Sequence, residues 1–176
     1  MLASSSACTQ DSELACLAED ADCTLAEAAA QAGVLVGTAY REPNDDPEYI
    51  PALIRHFNSV THEGAMKWDA TQPELGVFNF DRADAMMELA EANGMSVRGH
   101  TLVWEQASVD ATPDYVLDVT DPAELRALMA DHIRTVVGRY RGRIDAWDVV
   151  NEPLETAGSD IYQNHFYQVL GPGSVS

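Results

Sequence analysis

From Thr24 onward, short runs of β-branched and apolar residues alternate with stretches of helical character, four times over. Thr24-Leu25-Ala26-Glu27 has the form of a capping box, and the alanine-rich run behind it stops at Gly33. Residues 34–40 form the first strand-like run, and residues 46–56 are helical in pattern, with Asp46 as cap and Pro47 in the first turn. A second strand at 57–60 leads into a loop that holds Glu63. An amphipathic helix is expected at 81–93, where Ala83, Met86, Met87 and Ala90 share one stripe and Gly94 ends it. Residues 95–104 read as a third strand, and 121–140 as a long helix opened by Asp121 and Pro122. Residues 144–151 make a fourth strand and 160–170 a final helix.

Strand runs apolar on both faces, separated by helices of ~10 or more residues, specify a parallel sheet built from βαβ units. No Gly-x-Gly-x-x-Gly follows the first strand, and no glycine-rich phosphate loop occurs anywhere, which disfavours a nucleotide-binding doubly wound sheet. Polar and aromatic residues gather instead just past the ends of different strands: Glu63 and Lys67, His100 and Trp104, Asn151 and Glu152. A (β/α)8 barrel places its site residues in this way. A closed barrel takes eight strands and ~250 residues, whereas four strands in 176 residues are present here. The expected fold is therefore α/β, a TIM barrel of which about the first four βα units are present. Residues 24–176 form the barrel half, and residues 1–23 are a poorly ordered leader or linker.

Charge narrows the partners. The chain has 29 acidic and 10 basic residues, a net charge of −19, which argues against nucleic acid or an anionic membrane surface. No apolar run approaches the ~18 residues of a membrane span. The first residues lack the basic segment and apolar stretch of a secretory signal. Ser5-Ser6-Ala7-Cys8 is similar to the small-residue stretch before a lipid-modified cysteine, without the apolar segment that precedes one. Cys8, Cys16 and Cys23 are the only cysteines, with no Cys-x-x-Cys pair and no nearby histidine, so a zinc site is not expected. In an oxidising compartment Cys16 and Cys23 close a small loop; otherwise all three are free thiols.

Glu152 is the strongest candidate for chemistry. It follows an apolar run at 144–150, where a strand gives way to a loop. Pro153 biases its backbone toward an extended conformation, and apolar strand neighbours raise the proton affinity of a carboxyl group, as a general acid requires. Most loop glutamates are merely solvated. The adjacent Asn151 changes the weighing, because an amide beside a carboxyl group can hydrogen-bond a sugar hydroxyl while the acid acts on the leaving group. His100 alone would be an ordinary core histidine, and the histidine spacing fits no metal motif. Trp104 alone would be core, but at a strand end its ring face can also stack on a pyranose. Glu63 and Lys67 alone would be a surface ion pair.

Together these residues are recognisable. Residues 57–69 (FNSVTHEGAMKWD) resemble a signature of the family 10 glycoside hydrolases, the endo-β-1,4-xylanases. So do 78–81 (FNFD), 98–104 (RGHTLVW), 147–152 (WDVVNE) and 166–171 (FYQVLG), in the family's order. The resemblance implies secreted hydrolysis of β-1,4-xylan or xylo-oligosaccharides with retention, and no metal or organic cofactor. It implies Glu152 as general acid/base and Asn151 as partner of the sugar hydroxyl beside the reacting carbon. His100 and Trp104 would line the subsite before the scissile bond, and Glu63 and Lys67 would hold sugars on its non-reducing side.

Two departures stand out. Gly64 occupies a position where the family usually has Asn, and Glu105 one where it usually has His; both bear on subsite affinity. Retention also needs a second carboxylate about 5–5.5 Å from the first. Glu155 and Asp160 match no nucleophile motif, so that residue is expected to be missing from the chain. Open sheet edges in a half-barrel lead to an expectation of self-association. The alternatives to an enzyme are a non-catalytic xylan-binding module and a self-associating half-barrel.

Overall fold

The computed structural model describes Cys16 and residues 23–105, 111–155 and 160–173. Apart from Cys16 and Cys23, the expected leader, with Cys8, lies outside the described residues, as do positions 106–110. Cys16 and Cys23 are joined by a disulfide, which selects the oxidised of the two alternatives.

The chain runs through α1 (Leu25–Gln31), β1 (Gly37–Tyr40), α2 (Tyr49–His56), β2 (Ser59–His62), α3 (Trp68–Thr71), α4 (Asp81–Ala92), β3 (Ser96–Val103), α5 (Asp114–Leu117), α6 (Pro122–Arg139), β4 (Ala146–Val150) and α7 (His165–Leu170). The strands form one sheet in the order β1-β2-β3-β4, with every neighbour pair parallel. This is the arrangement of about the first four βα units of a barrel.

Several boundaries follow from local chemistry in the sequence. Thr24 and Glu27 complete the capping box, with Glu27 N–H donating to Thr24 Oγ1 at 3.2 Å and Thr24 N–H to Glu27 Oε2 at 2.8 Å. Asp121 Oδ1 accepts from the Ala123 and Glu124 amides at 2.9 and 2.8 Å, opening α6. Among the boundaries that differ from expectation, β1 begins at Gly37 rather than at 34 and β4 at Ala146 rather than at 144, and three others have a local cause. Asp46 closes a turn rather than capping a helix: its Oδ1 accepts from Glu48 N–H and its carbonyl from Tyr49 N–H, so α2 begins after Pro47. β2 starts at Ser59, because Asn58 bonds back to Val36 N–H and the Val34 carbonyl ahead of the strand. α7 starts at His165 with Asn164 as its cap, since Ile161 is taken up in an antiparallel bridge with Leu154. The short helices α3 and α5 carry no periodic signal that a sequence reading could use.

The core lies between the sheet's outer face and α4 and α6. Val60 and Val97 from the strands, Met86, Met87 and Ala90 from α4, and Leu125 and Val136 from α6 are buried. Within it Trp68 stacks on His132, with ring centroids 4.2 Å apart and planes 8° from parallel. Trp68 Nε1–H donates to Gln72 Oε1 and to Tyr115 Oη, both at 3.1 Å. Burial drives the His132 imidazole down to about 4.

The inner face corrects the expectation of strands apolar on both sides. Gly37, Ala39, Ser59, Thr61, Ser96, Arg98 and Asp145 line an open hollow there. These positions alternate with buried Val60 and Val97, so the strands follow the two-residue period of a sheet with one dry face. Gly99 is needed where β3 meets β4, because a Cβ added to it would lie 2.3 Å from the ring of Trp147. Trp147 is its register partner, and the missing side chain lets the indole lie over the β3 backbone.

Candidate active site

Parallel pairing brings the exits of β2, β3 and β4 to one end of the sheet. Glu63 follows β2 directly, with its N–H donating to the Tyr40 carbonyl at 2.9 Å. Trp104 follows β3, and Asn151 and Glu152 follow β4. Asn151 N–H donates to the Val103 carbonyl at 2.9 Å, which ties the β4 exit to that of β3. The His100–Thr101 peptide bond is cis, and the pairing of β3 with β4 shifts register between His100 and Val103.

Five of the six sequence candidates, Glu63, Lys67, His100, Trp104 and Asn151, line a single cleft of about 570 Å³. Glu152 stands beside it, joined through Trp104 Nε1–H, which donates to Glu152 Oε2 at 3.0 Å. Lys67 Nζ lies over the Trp104 ring, 4.6 Å from its centroid, and the His100 ring is 6.0 Å from that indole. Glu63 and Lys67 are not paired with each other as the surface-pair reading had it. Glu63 faces Arg41 at 3.7 Å, while Lys67 caps α3 by its backbone and sends its ammonium to Trp104.

Two expectations about Glu152 are corrected. Its φ is +49°, in the left-handed region rather than the extended one. Proline disfavours the right-handed helical conformation of its predecessor, and the chain leaves the sheet by a sharp turn that takes the other sign of φ. A non-glycine residue in this region costs on the order of 1–3 kcal/mol and persists where the surroundings fix it; the Trp104 bond is one such restraint. Glu152 is also exposed, not enclosed by apolar strand residues: of the run before it Ile144, Trp147 and Val150 are only partly buried against the core, and Val149 is itself exposed.

Sequence reading missed the layer beneath the candidates. Asp148 accepts from Arg98 Nε at 2.9 Å, pairs with Arg98 Nη2, and lies 3.0 Å from His100 Nδ1. The Arg98 hydrogen bonds, helped by His100, hold the Asp148 carboxyl below the usual carboxylate range against the opposing effect of burial. An ionised Asp148 fixes the plane and direction of the His100 ring. Sequence carries only half of this signal: Ser96, Arg98 and His100 alternate along β3, but only the paired strands make Asp148 the register partner of His100. Thr101 Oγ1 donates to the Asp148 carbonyl at 2.9 Å and reinforces the same junction.

Glu105, the second departure, accepts from the backbone N–H of His165 and so anchors the start of α7 to the β3 exit. Glu155 and Asp160 are held in the loop closed by the Leu154–Ile161 bridge, where Glu155 N–H donates to the Asp160 carbonyl at 2.9 Å. Among the described residues, no cluster of three or more His, Cys, Asp or Glu side chains is placed to hold a metal, and no helix is long and apolar enough to cross a membrane.

A half-barrel of parallel strands with a polar cleft at its carboxyl end defines a class, the (β/α)8 barrel proteins. Residues 24–176 match the family model of Glycosyl hydrolase family 10, and the chain belongs to that family. It is 46% identical over 124 residues to a beta-1,4-xylanase of Dictyoglomus thermophilum, covering 70% of this chain and 34% of that protein. It is 36% identical over 159 residues to an endo-1,4-beta-xylanase of Agaricus bisporus, covering 88% and 46% respectively. Among solved structures, native xylanase 10B from Thermotoga maritima superposes with a TM-score of 0.79 at 34% identity, covering 86% of this chain and 47% of that one. Xylanase 10B from Thermotoga petrophila, in complex with xylobiose, has the same TM-score and identity, covering 88% and 47%. The chain therefore spans less than half the length of these relatives.

Proposed function

We propose that this chain carries the acid/base half of a retaining endo-1,4-β-xylanase site, acting on β-1,4-xylan or xylo-oligosaccharides. The observation that carries the reading is the convergence of three strand exits on one cleft, with Trp104 linking it to Glu152. Glu152 protonates the glycosidic oxygen as the bond breaks, and as the carboxylate then takes a proton from the attacking water. Trp104 Nε1–H supports its direction. Asn151 hydrogen-bonds the sugar hydroxyl beside the reacting carbon, and the His100 and Trp104 rings line the subsite before the scissile bond. Glu63 and Lys67 bind sugar hydroxyls further toward the non-reducing end. Gly64 offers no side-chain amide there, so one sugar hydrogen bond is absent. The second carboxylate is assigned to no residue of this chain.

The xylobiose complex of the Thermotoga petrophila relative supports the choice of substrate class. The Cys16–Cys23 disulfide supports a secreted protein, because disulfides persist in oxidising compartments. The edges β1 and β4 each leave a row of backbone groups without a strand partner among the described residues, which supports pairing with further parallel strands, those of a second copy included. Light scattering tests this: a concentration-independent monomer counts against self-association.

Calorimetric titration with xylo-oligosaccharides is the first test of the site. Binding that is lost in Trp104→Ala and kept in Glu152→Gln is expected. Joining residues 24–176 to the complementary half of a full-length family 10 relative tests the chemistry: xylan hydrolysis by the joined protein should vanish in Glu152→Gln. Hydrolysis that survives this change would overturn the assignment of Glu152.

A further inference from the structure

His62 ends β2 with only 1% of its surface exposed, one residue before Glu63. Its Nδ1 accepts two backbone hydrogen bonds, from Gly64 N–H at 2.9 Å and Ala65 N–H at 2.8 Å. The turn they hold continues through Lys67 N–H, which donates to the Gly64 carbonyl at 3.1 Å, into α3. One imidazole lone pair thus fixes the backbone that presents Glu63 on one side and Lys67 on the other. A ring nitrogen that accepts carries no proton, so the neutral ring must hold its proton on Nε2.

We propose that His62 is a positioning residue for the Glu63–Lys67 turn, and that protonation of its Nδ1 releases the turn and with it the sugar-binding side chains. An imidazolium has an N–H at Nδ1, which would point at two further N–H donors, so both hydrogen bonds are lost together. The groups around the ring come from three other elements. Glu42, past β1, has its Oε1 3.6 Å from Nε2, and Arg82 of α4 donates to that same oxygen at 2.9 Å. Tyr40 of β1 meets the imidazole edge-to-face at 5.3 Å and donates to Glu42 Oε2 at 3.4 Å. Glu63 lies on the turn itself, facing Arg41.

These neighbours oppose one another. Glu42 and Glu63 favour the imidazolium, while burial and the Arg82 charge disfavour it; burial is the larger influence, and the group is held below the ordinary histidine range. The turn is therefore closed at neutral pH and opens in acid. The amide contacts of Nδ1 set this behaviour, since they exist only in the neutral form.

The consequence for sugar rests on the proposed function, whereas the turn itself does not, and the test separates the two. In the whole chain, nuclear magnetic resonance follows the His62 ring nitrogens together with the Gly64 and Ala65 amides as pH is lowered. Both amides should shift in step with the His62 titration. His62→Asn, whose Oδ1 can replace Nδ1 as acceptor, should keep the closed-turn amide positions without that pH response. His62→Ala should show open-turn positions at all pH values and bind xylo-oligosaccharides about tenfold more weakly than the Asn variant, roughly the loss of one net hydrogen bond to a held loop. Amides that ignore the His62 titration, or Asn and Ala variants that behave alike in the amide spectrum, overturn the proposal. An amide response without any sugar binding leaves the positioning role standing and overturns the reading of the cleft.

Discussion

On its outer face the sheet presents Val60 and Val97 to α4 and α6 and buries them almost completely, whereas its inner face presents Thr61, Arg98, His100 and Asp148 to an open cleft. Both sets of residues alternate along the same strands. Close packing makes the outer face intolerant of lost volume, because a cavity there cannot fill or collapse freely. The inner face holds its side chains by charge-assisted hydrogen bonds within reach of water, where the net contribution to folding is small. Stability is thus concentrated on one side and the proposed sugar recognition on the other, and substitutions should sort accordingly.

The largest effect is expected from Trp68→Ala, which empties the stack with His132 and leaves the Gln72 and Tyr115 oxygens without the indole donor. A loss of about 3–5 kcal/mol in urea unfolding follows, and a loss below about 1 kcal/mol would break the comparison. Acid comes next. His132 is neutral in the folded protein down to about 4, while in the unfolded chain it takes a proton near its ordinary value of 6.5. Protons therefore favour the unfolded state as pH falls through that window. The contribution is complete above about pH 6.5 and declines by about 3 kcal/mol by pH 4. His132→Gln should flatten the slope measured by denaturation across this range.

Gly99→Ala tests the seam between the two faces. Its new Cβ meets the Trp147 ring, and a cost of about 1–3 kcal/mol is expected from thermal unfolding. Asp148→Asn sharpens the contrast from the inner side: about 1 kcal/mol or less of stability is expected to go, while calorimetry shows weaker xylo-oligosaccharide binding as His100 loses its fixed direction. Arg41→Ala stands last. Its pairing with Glu63 is exposed on both sides, and no measurable change in the unfolding midpoint is expected.

The outer face was the more legible in sequence. The stripe of Ala83, Met86, Met87 and Ala90 predicts α4 and the face it buries, and all four are buried. Capping chemistry at Thr24 and Asp121 marks two helix starts for a local reason. Asp46 misled because an aspartate before proline serves a turn as readily as a helix, and the choice falls to the Glu48 and Tyr49 amides. The site candidates were legible through motifs at strand ends, where spacing along the chain coincides with spacing across a parallel sheet. Asp148 was not, since its role depends on register with His100, a relation between strands 48 residues apart. His62 escaped for a similar reason: nothing in a sequence tells which nitrogen of an imidazole two later amides will share.

The stacking of Trp68 on His132 gives the protein a built-in optical signal. A protonated imidazole in contact with an excited indole accepts an electron and quenches its emission, while a neutral one does so poorly. The chain has three tryptophans, and only Trp68 is both sealed in the core and in face-to-face contact with a histidine. Its blue-shifted emission should dim as protons reach the core, before the red shift that accompanies unfolding. Fluorescence in a plain acid titration can therefore time the arrival of charge at the centre of the molecule separately from the collapse that follows.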